Sequence, residues 1–253
     1  MTIETTDGTL LGGRIRFRQP AAGYRSAIDP VFLAAAVPAG AGDRVFELGL
    51  GAGAAALCLL ARVPDCMVAG VEPDPVLRRL ALENAAANGL DGRLTAVADT
   101  AALDAAGRPF DHVMSNPPFW AEGSGNRSPD ARKALANHES EMSIAGWVDE
   151  LCRLCRPGGR PKATATTVYA AARLDDLLAA LAARCGGPEI LPLWPKAGRD
   201  AKRVLVRARI GGKGPARLLP GLTLHEADGR FTPAAEAVLR GGAPVEFCAL
   251  YRV

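Results

Sequence analysis

Apolar and polar positions fall in blocks along the chain, and from Arg44 onward the blocks follow a regular order. Short apolar runs bounded by turn residues read as buried strands. Longer stretches with apolar positions at helical spacing read as helices. RVFELG (44–49) is the first such strand, followed by an apolar helix over 52–62. MVAGVE (67–72) is a second strand, and Pro75 to Asn88 is a helix with proline at its start and Gly89 just past its end. RLTAVAD (93–99) and FDHVMSN (110–116) are the third and fourth strands. Strand followed by helix, repeated, implies parallel strands joined by crossover helices: a doubly wound α/β sheet.

Residues 121–140 are polar and rich in Gly, Ser, Asn and Arg, which predicts a loop leading into a short helix. Ile144 to Arg156 is a helix stopped by Pro157-Gly158-Gly159. RPKATATTVYA is weakly apolar and places a fifth strand near Ala163–Tyr169, before a helix from Leu174 to Arg184. EILPLW (189–194) and RVLVRARI (203–210) are joined by a connection too short for a crossover, so they form an antiparallel hairpin. Ile28 to Val37 is a helix packed on the main fold, and the residues before it show no strand–helix repeat. The C-terminal part holds Gly- and Pro-rich loops, then TLHE, then a helix from Pro233 to Arg240. The pattern is one domain over 1–253, with an N-terminal lid segment (1–41), a core (42–211) and a C-terminal extension (212–253).

Composition adds limits. The chain has 253 residues, of which 49% are hydrophobic and 23% charged, a globular balance with length ample for a sizeable core. No stretch of about 18 apolar residues lacks charge. The N-terminal MTIETTDGTL has neither a basic nor an apolar signal region, so the expected location is the cytoplasm. Cys58, Cys66, Cys152, Cys155, Cys185 and Cys248 show no framework spacing. Cys152 and Cys155 form one C-x-x-C inside a helix. A structural zinc needs four ligands and no second pair exists, so packing on a helix face is the expected role and no metal is expected.

The net charge is only +3, but it is unevenly spread. Residues 196–217 carry Lys196, Arg199, Lys202, Arg203, Arg207, Arg209, Lys213 and Arg217 against one acid, Asp200. Arg14, Arg16, Arg18 and Arg25 form a second cluster. Such patches suit a phosphate backbone, although a solvated basic surface explains them as well. Lys202, Arg203, Arg207 and Arg209 are the candidate RNA contacts. Strand alternation puts the three arginines on one face.

The first strand runs into Glu47-Leu48-Gly49-Leu50-Gly51-Ala52-Gly53. Glycines at a strand-to-helix turn allow a sharp bend and close approach of a ligand, and the next helix offers free N–H groups to an anion. Glu72 ends the second strand, where a carboxylate can accept from two ribose hydroxyls, and Asp99 ends the third, where it suits an adenine amino group. Gly49, Gly51 and Ala54 also satisfy the dinucleotide fingerprint, so this loop alone leaves a nicotinamide oxidoreductase open. The fourth strand runs into Asn116-Pro117-Pro118-Phe119. The Asn116 side-chain oxygen and the Pro117 carbonyl can each accept a hydrogen bond from an exocyclic amine and favour its pyramidal, nucleophilic form. Phe119 supplies a stacking face. This motif favours methylation of a planar nitrogen over hydride transfer.

FELGLGAG, VEPDP, AVAD and SNPPF, in that order, resemble the amino-methylating class I methyltransferases. GRIRFRQPAAGYRSAIDPVFLAAA, and RVLVRARI with LTLHEADGRFTPAAEAVLR, resemble the ends of the bacterial tRNA1(Val) adenine-37 N6-methyltransferase family, so the resemblance covers nearly the whole chain. It implies an α/β class I methyltransferase Rossmann-like doubly wound sheet, mostly parallel with one antiparallel C-terminal hairpin strand. It implies S-adenosyl-L-methionine as cofactor and tRNA as substrate. Glu47, Gly49, Gly51, Gly53, Glu72 and Asp99 would bind the cofactor, with Asn116 against both cofactor and target. Asn116, Pro117, Pro118 and Phe119 would hold the amine. Gln19, Arg25 and Asp29 would close over the site, with polar surface and helix capping by Asp29 as the plainer reading. Phe119 stands where many adenine and glutamine enzymes carry tyrosine and where phenylalanine is common among guanine-N2 enzymes, which keeps guanine N2 in rRNA as an alternative; glutamine N5 in a protein is another within the same reaction class. A binding protein without turnover is the remaining alternative.

Overall fold

A computed structural model of the chain describes residues 4–22, 28–104, 109–117, 142–155 and 163–247. The chain opens with strands β1 (Thr5–Leu10) and β2 (Ile15–Pro20), then helix α1 (Asp29–Ala36). The repeat follows: β3 (Arg44–Leu48), α2 (Ala54–Arg62), β4 (Met67–Val71), α3 (Pro75–Ala87), β5 (Leu94–Val97), α4 (Ala101–Asp104) and β6 (His112–Ser115). The second half holds α5 (Ile144–Arg153), β7 (Thr164–Ala170), α6 (Leu174–Ala182), β8 (Cys185–Lys196), β9 (Arg203–Ile210), β10 (Arg217–Leu218), β11 (Leu222–His225) and α7 (Pro233–Leu239).

The main sheet has the order β10-β8-β9-β7-β6-β3-β4-β5, with β11 also on β8. Strands β5, β4, β3, β6 and β7 are mutually parallel, and β9 lies antiparallel between β7 and β8. This is the expected α/β arrangement with its antiparallel hairpin strand. From β3 the chain moves outward through β4 and β5, then returns to place β6 on the other side of β3. That reversal opens a crevice beyond the carboxyl ends of β3 and β6, the place where open α/β sheets bind ligands.

Strand alternation builds two cores. Val45, Val68, Met114 and Leu205 face a core shared with α1, α2, α3 and α7. Phe46, Val71, Val113 and Val206 face a second core with α5 and α6. The weakly apolar fifth strand lies inside the sheet as β7, and Thr164, Thr166 and Thr167 are buried there. β-Branched threonine suits a strand, and the Thr164 hydroxyl is 2.9 Å from His112 Nδ1. Cys152 and Cys155 pack in the second core, where Cys155 Sγ donates to the Phe110 carbonyl.

The N-terminal segment carries no strand–helix repeat, but it holds strands that the pattern left unassigned: β1 and β2 form an antiparallel hairpin, with Thr6 opposite Gln19. Its signal was the alternation of buried Ile15 and Phe17 with exposed Arg16 and Arg18. The third strand ends at Val97, so Asp99 does not end it but lies beyond. No helix among the described residues is long and apolar enough to cross a membrane. The loop expected over 121–140 lies outside the described residues.

Candidate active site

The glycine loop leaves β3 at Leu48 and enters α2 at Ala54. Gly49, Gly51 and Gly53 have φ values of 80°, 57° and 89°, in the region that disfavours any side chain. A Cβ at Gly49 would meet Trp147, and one at Gly53 would meet Ala81. One at Gly51 would meet no described residue within 4 Å. Among the described residues the loop is therefore a cradle closed on two sides and open at Gly51.

Two carboxylates border it. Glu72, 5% exposed, accepts from the Gly51 N–H at 2.8 Å with Oε2 and from the Asp74 N–H at 3.0 Å with Oε1. Each oxygen keeps a further lone pair for a ligand hydroxyl. Glu47, 3% exposed, has an Oε2 with no hydrogen-bond partner among the described residues. Burial pushes the Glu47 carboxyl well above the usual carboxylate range, and nearby Glu72 pushes the same way against the Ala56 N–H. Burial also raises Glu72. A cation placed here would be paired by two acids. A pyrophosphate would set like charges together. The donor set thus fits a cofactor bearing an ammonium and a ribose better than a dinucleotide.

Asn116 and Pro117 follow directly from β6. Ser115 stands opposite Leu48 of β3, so the two residues open onto the same crevice as the cradle. Ser115 Oγ donates to the Leu48 carbonyl at 2.8 Å, and Trp147 Nε1 on α5 donates to Ser115 Oγ at 2.7 Å. This relay fixes the ends of both strands and the floor under Gly49. Nothing in the local sequence pattern pointed to Ser115 or Trp147. Pro118 and Phe119 lie outside the described residues, as does Arg25.

Other expected residues are spread around the rim. Asp99 is exposed past β5, and its carboxylate accepts from the Ala102 N–H at 3.2 Å, which ties it to the start of α4. Gln19 lies on β2 beside Arg18. Asp29 does not cap its helix, because its carboxylate holds Arg203 Nε at 3.0 Å. That pair lies at the carboxyl edge of the sheet, since Arg203 stands opposite Ala170 at the end of β7.

The basic set divides. Arg203, Arg207 and Arg209 share a face of β9, but that face is occupied. Arg207 binds Glu189 at 2.8 Å and lies 4.1 Å over the Phe247 ring, while Arg209 donates to the Lys213 carbonyl. Arg209 is also about 20 Å from Arg203 along the strand, toward the end of the sheet away from the crevice. Exposed cations near the crevice among the described residues include Lys196, Arg199 and Lys202, around the β8–β9 turn. Arg199 and Lys202 form no ion pair among the described residues.

Residues 28–139 match a family model described as Methyltransferase small domain. A tRNA1(Val) (adenine(37)-N6)-methyltransferase from Aeromonas hydrophila is 32% identical over 211 residues, covering 81% of this chain and 84% of that relative. This chain belongs to the tRNA1(Val) (adenine(37)-N6)-methyltransferase family. Another member, from Porphyromonas gingivalis, is 29% identical over 74% of each chain. A release factor glutamine methyltransferase from Rhodospirillum rubrum is 46% identical, but over 33% of this chain and 26% of its own length. A crystal structure from Agrobacterium tumefaciens, described as a predicted O-methyltransferase, superposes with a TM-score of 0.65. It is 26% identical and covers 86% of this chain and 98% of that one. The fold is that of the class I methyltransferases.

Gly51 separates folding from binding. Gly51→Ala should leave the protein folded, at a cost of about 1–3 kcal/mol for a side chain in the left-handed region. It should weaken S-adenosylmethionine binding roughly 5- to 150-fold, because the methyl enters the open side of the cradle. Thermal melts with calorimetric titration check both, and unchanged affinity would contradict the placement.

Proposed function

We propose that this protein methylates the N6 amino group of an adenine in tRNA, in the cytoplasm, with S-adenosylmethionine as donor. The observation that carries the reading is the adjacency of Asn116-Pro117 to the glycine cradle, across the Ser115–Leu48 register. The names of the long-range relatives support the adenine and the tRNA. The glutamine and guanine alternatives lack support of that extent.

In this reading Glu47 pairs with the cofactor's ammonium group, and Glu72 accepts from its ribose hydroxyls. The N–H groups at the start of α2 face its carboxylate. Asp99 lies at the rim for the adenine end, and Asp29 with Arg203 forms the opposite rim. The cofactor supplies an electrophilic methyl group on sulfur. Asn116 and Pro117 accept hydrogen bonds from the target amine and orient its lone pair. No general base is needed before attack, because the nitrogen proton becomes acidic as the new bond forms. Positioning therefore supplies most of the rate.

The RNA backbone is met by the β8–β9 turn. Lys202 lies just before β9, two strands from Asn116 or about 10 Å across the sheet, and Lys196 ends β8 one strand further out, with Arg199 in the turn between them. Arg203 and Arg207 are held in internal ion pairs and serve the fold first.

The direct test is product analysis: labelled cofactor, bulk tRNA, then digestion to nucleosides. N6-methyladenosine is expected, whereas N2-methylguanosine or label in protein alone would replace the reading. In single-turnover assays Asn116→Ala should slow methyl transfer on the order of 100- to 1000-fold, with a far smaller change in cofactor affinity. A wild-type rate would reduce the motif to a structural turn. Replacing Arg199 and Lys202 by alanine should flatten the plot of log tRNA affinity against log salt by roughly 0.7–0.9 per lost contact. An unchanged slope would put the RNA surface elsewhere.

A further inference from the structure

Among the described residues, strands β1 and β2 form a sheet of two strands, so β2 has an outer edge. A strand edge presents main-chain donors and acceptors that need partners. Here a helix supplies them. Asn84 lies on α3, and Asn88, one turn further on the same face, is the residue that caps its end. Asn84 Oδ1 accepts from the Arg18 N–H at 2.9 Å, and Asn84 Nδ2 donates to the Arg18 carbonyl at 2.8 Å. Asn88 repeats the pattern on Arg16, at 2.9 Å and 2.7 Å. The two amides stand in for a neighbouring strand and serve alternate residues of β2. Asparagine suits this task because its side chain carries both a carbonyl acceptor and an N–H donor.

The two positions differ in their remaining hydrogen bond. Asn88 Nδ2 also bonds to Asn84 O at 2.7 Å, within its own helix. Asn84 Nδ2 reaches the Ala52 carbonyl at 3.0 Å. Ala52 is in the cradle, between Gly51 and Gly53. Asn84 is only 3% exposed, so water does not compete for these groups. One buried amide thus joins the main chain of the N-terminal hairpin to the main chain of the glycine loop.

We propose that Asn84 is a positioning residue that couples the N-terminal hairpin to the cofactor cradle, making the hairpin part of the cofactor site. The proposal rests on the reading of the cradle as the S-adenosylmethionine site. A cradle held in place by Ala52 is ready for the ligand, and a ligand that orders the cradle in turn holds Arg18 through Asn84. Linkage requires the two effects to be equal in free energy. Asn88 docks the same strand without touching the cradle and so lacks this role.

Hydrogen exchange and calorimetry with S-adenosylhomocysteine test the coupling. In the wild-type protein the ligand should slow exchange of the amides in 15–20. In Asn84→Ala that slowing should vanish, the dissociation constant should rise about tenfold, and KM for S-adenosylmethionine should rise more than kcat falls. In Asn88→Ala, which loosens the hairpin alone, the slowing should persist and the dissociation constant should stay within about twofold. The proposal is overturned if Asn84→Ala keeps both wild-type properties, or if Asn88→Ala loses them to the same extent. Should Asn84→Ala fail to fold, the wild-type exchange result still decides: no slowing in 15–20 on ligand binding overturns it. A wild-type protein that does not bind S-adenosylhomocysteine at all would instead remove the cofactor reading itself.

Discussion

The hydrogen bond from the Gly51 N–H to Glu72 Oε2, at 2.8 Å, joins the loop after β3 to the residue after β4. Most of the site depends on it. The loop passes through three positive-φ glycines, and such a backbone needs fixed anchors to hold one shape. Glu72 anchors it from one side, Asn84 from a second through Ala52, and Trp147 lies under Gly49. Among the described residues the remaining open direction is at Gly51. The carboxylate that shapes the cradle is thus also the group best placed to receive what enters it.

The sheet order converts this local shape into a reaction site. Because β6 returns beside β3, the chain after β6 emerges next to the cradle and not at a remote edge. The Trp147–Ser115–Leu48 relay then sets the height of the two strand ends relative to one another. Asn116 inherits its position from that relay. A methyl transfer that relies on alignment of a weak nucleophile needs such rigid supports more than it needs an acid or a base. Exposed cations lie at the β8–β9 turn on the same edge of the sheet, so in the proposed reading that one edge serves cofactor, target base and backbone phosphate together.

What could be read from sequence was local. The glycines occupy left-handed conformations because strand-to-helix turns demand them, and Asn116-Pro117 ends a strand because four apolar runs precede it in order. What could not be read was pairing across distance. Asp29 and Arg203 are 174 residues apart, and the run of arginines in 203–209 carries no mark of which partner each one meets. The basic patch therefore looked larger than it is. Asn84 and Asn88 are similar: within α3 they are ordinary polar helix positions, and only the placement of β2 against them gives them work. The hairpin itself was missed because Ile15 and Phe17 alternate over a stretch too short to stand out from a loop.

In the proposed reading, two buried carboxylates and the glycine cradle form a site for a cationic ribonucleoside. Proton-linked calorimetry tests it most directly. Burial holds Glu47 well above the usual carboxylate range in the free protein. An ammonium placed beside it lowers that value, so at any pH where free Glu47 is protonated and the bound form is not, binding releases a proton. Affinity for S-adenosylmethionine should therefore rise with pH across the range in which free Glu47 titrates. The binding heat should depend on the ionisation enthalpy of the buffer, and that dependence should disappear in Glu47→Gln. A dinucleotide such as NAD should produce no binding heat. Tight NAD binding, or S-adenosylmethionine binding with no proton released at any pH, would contradict the account.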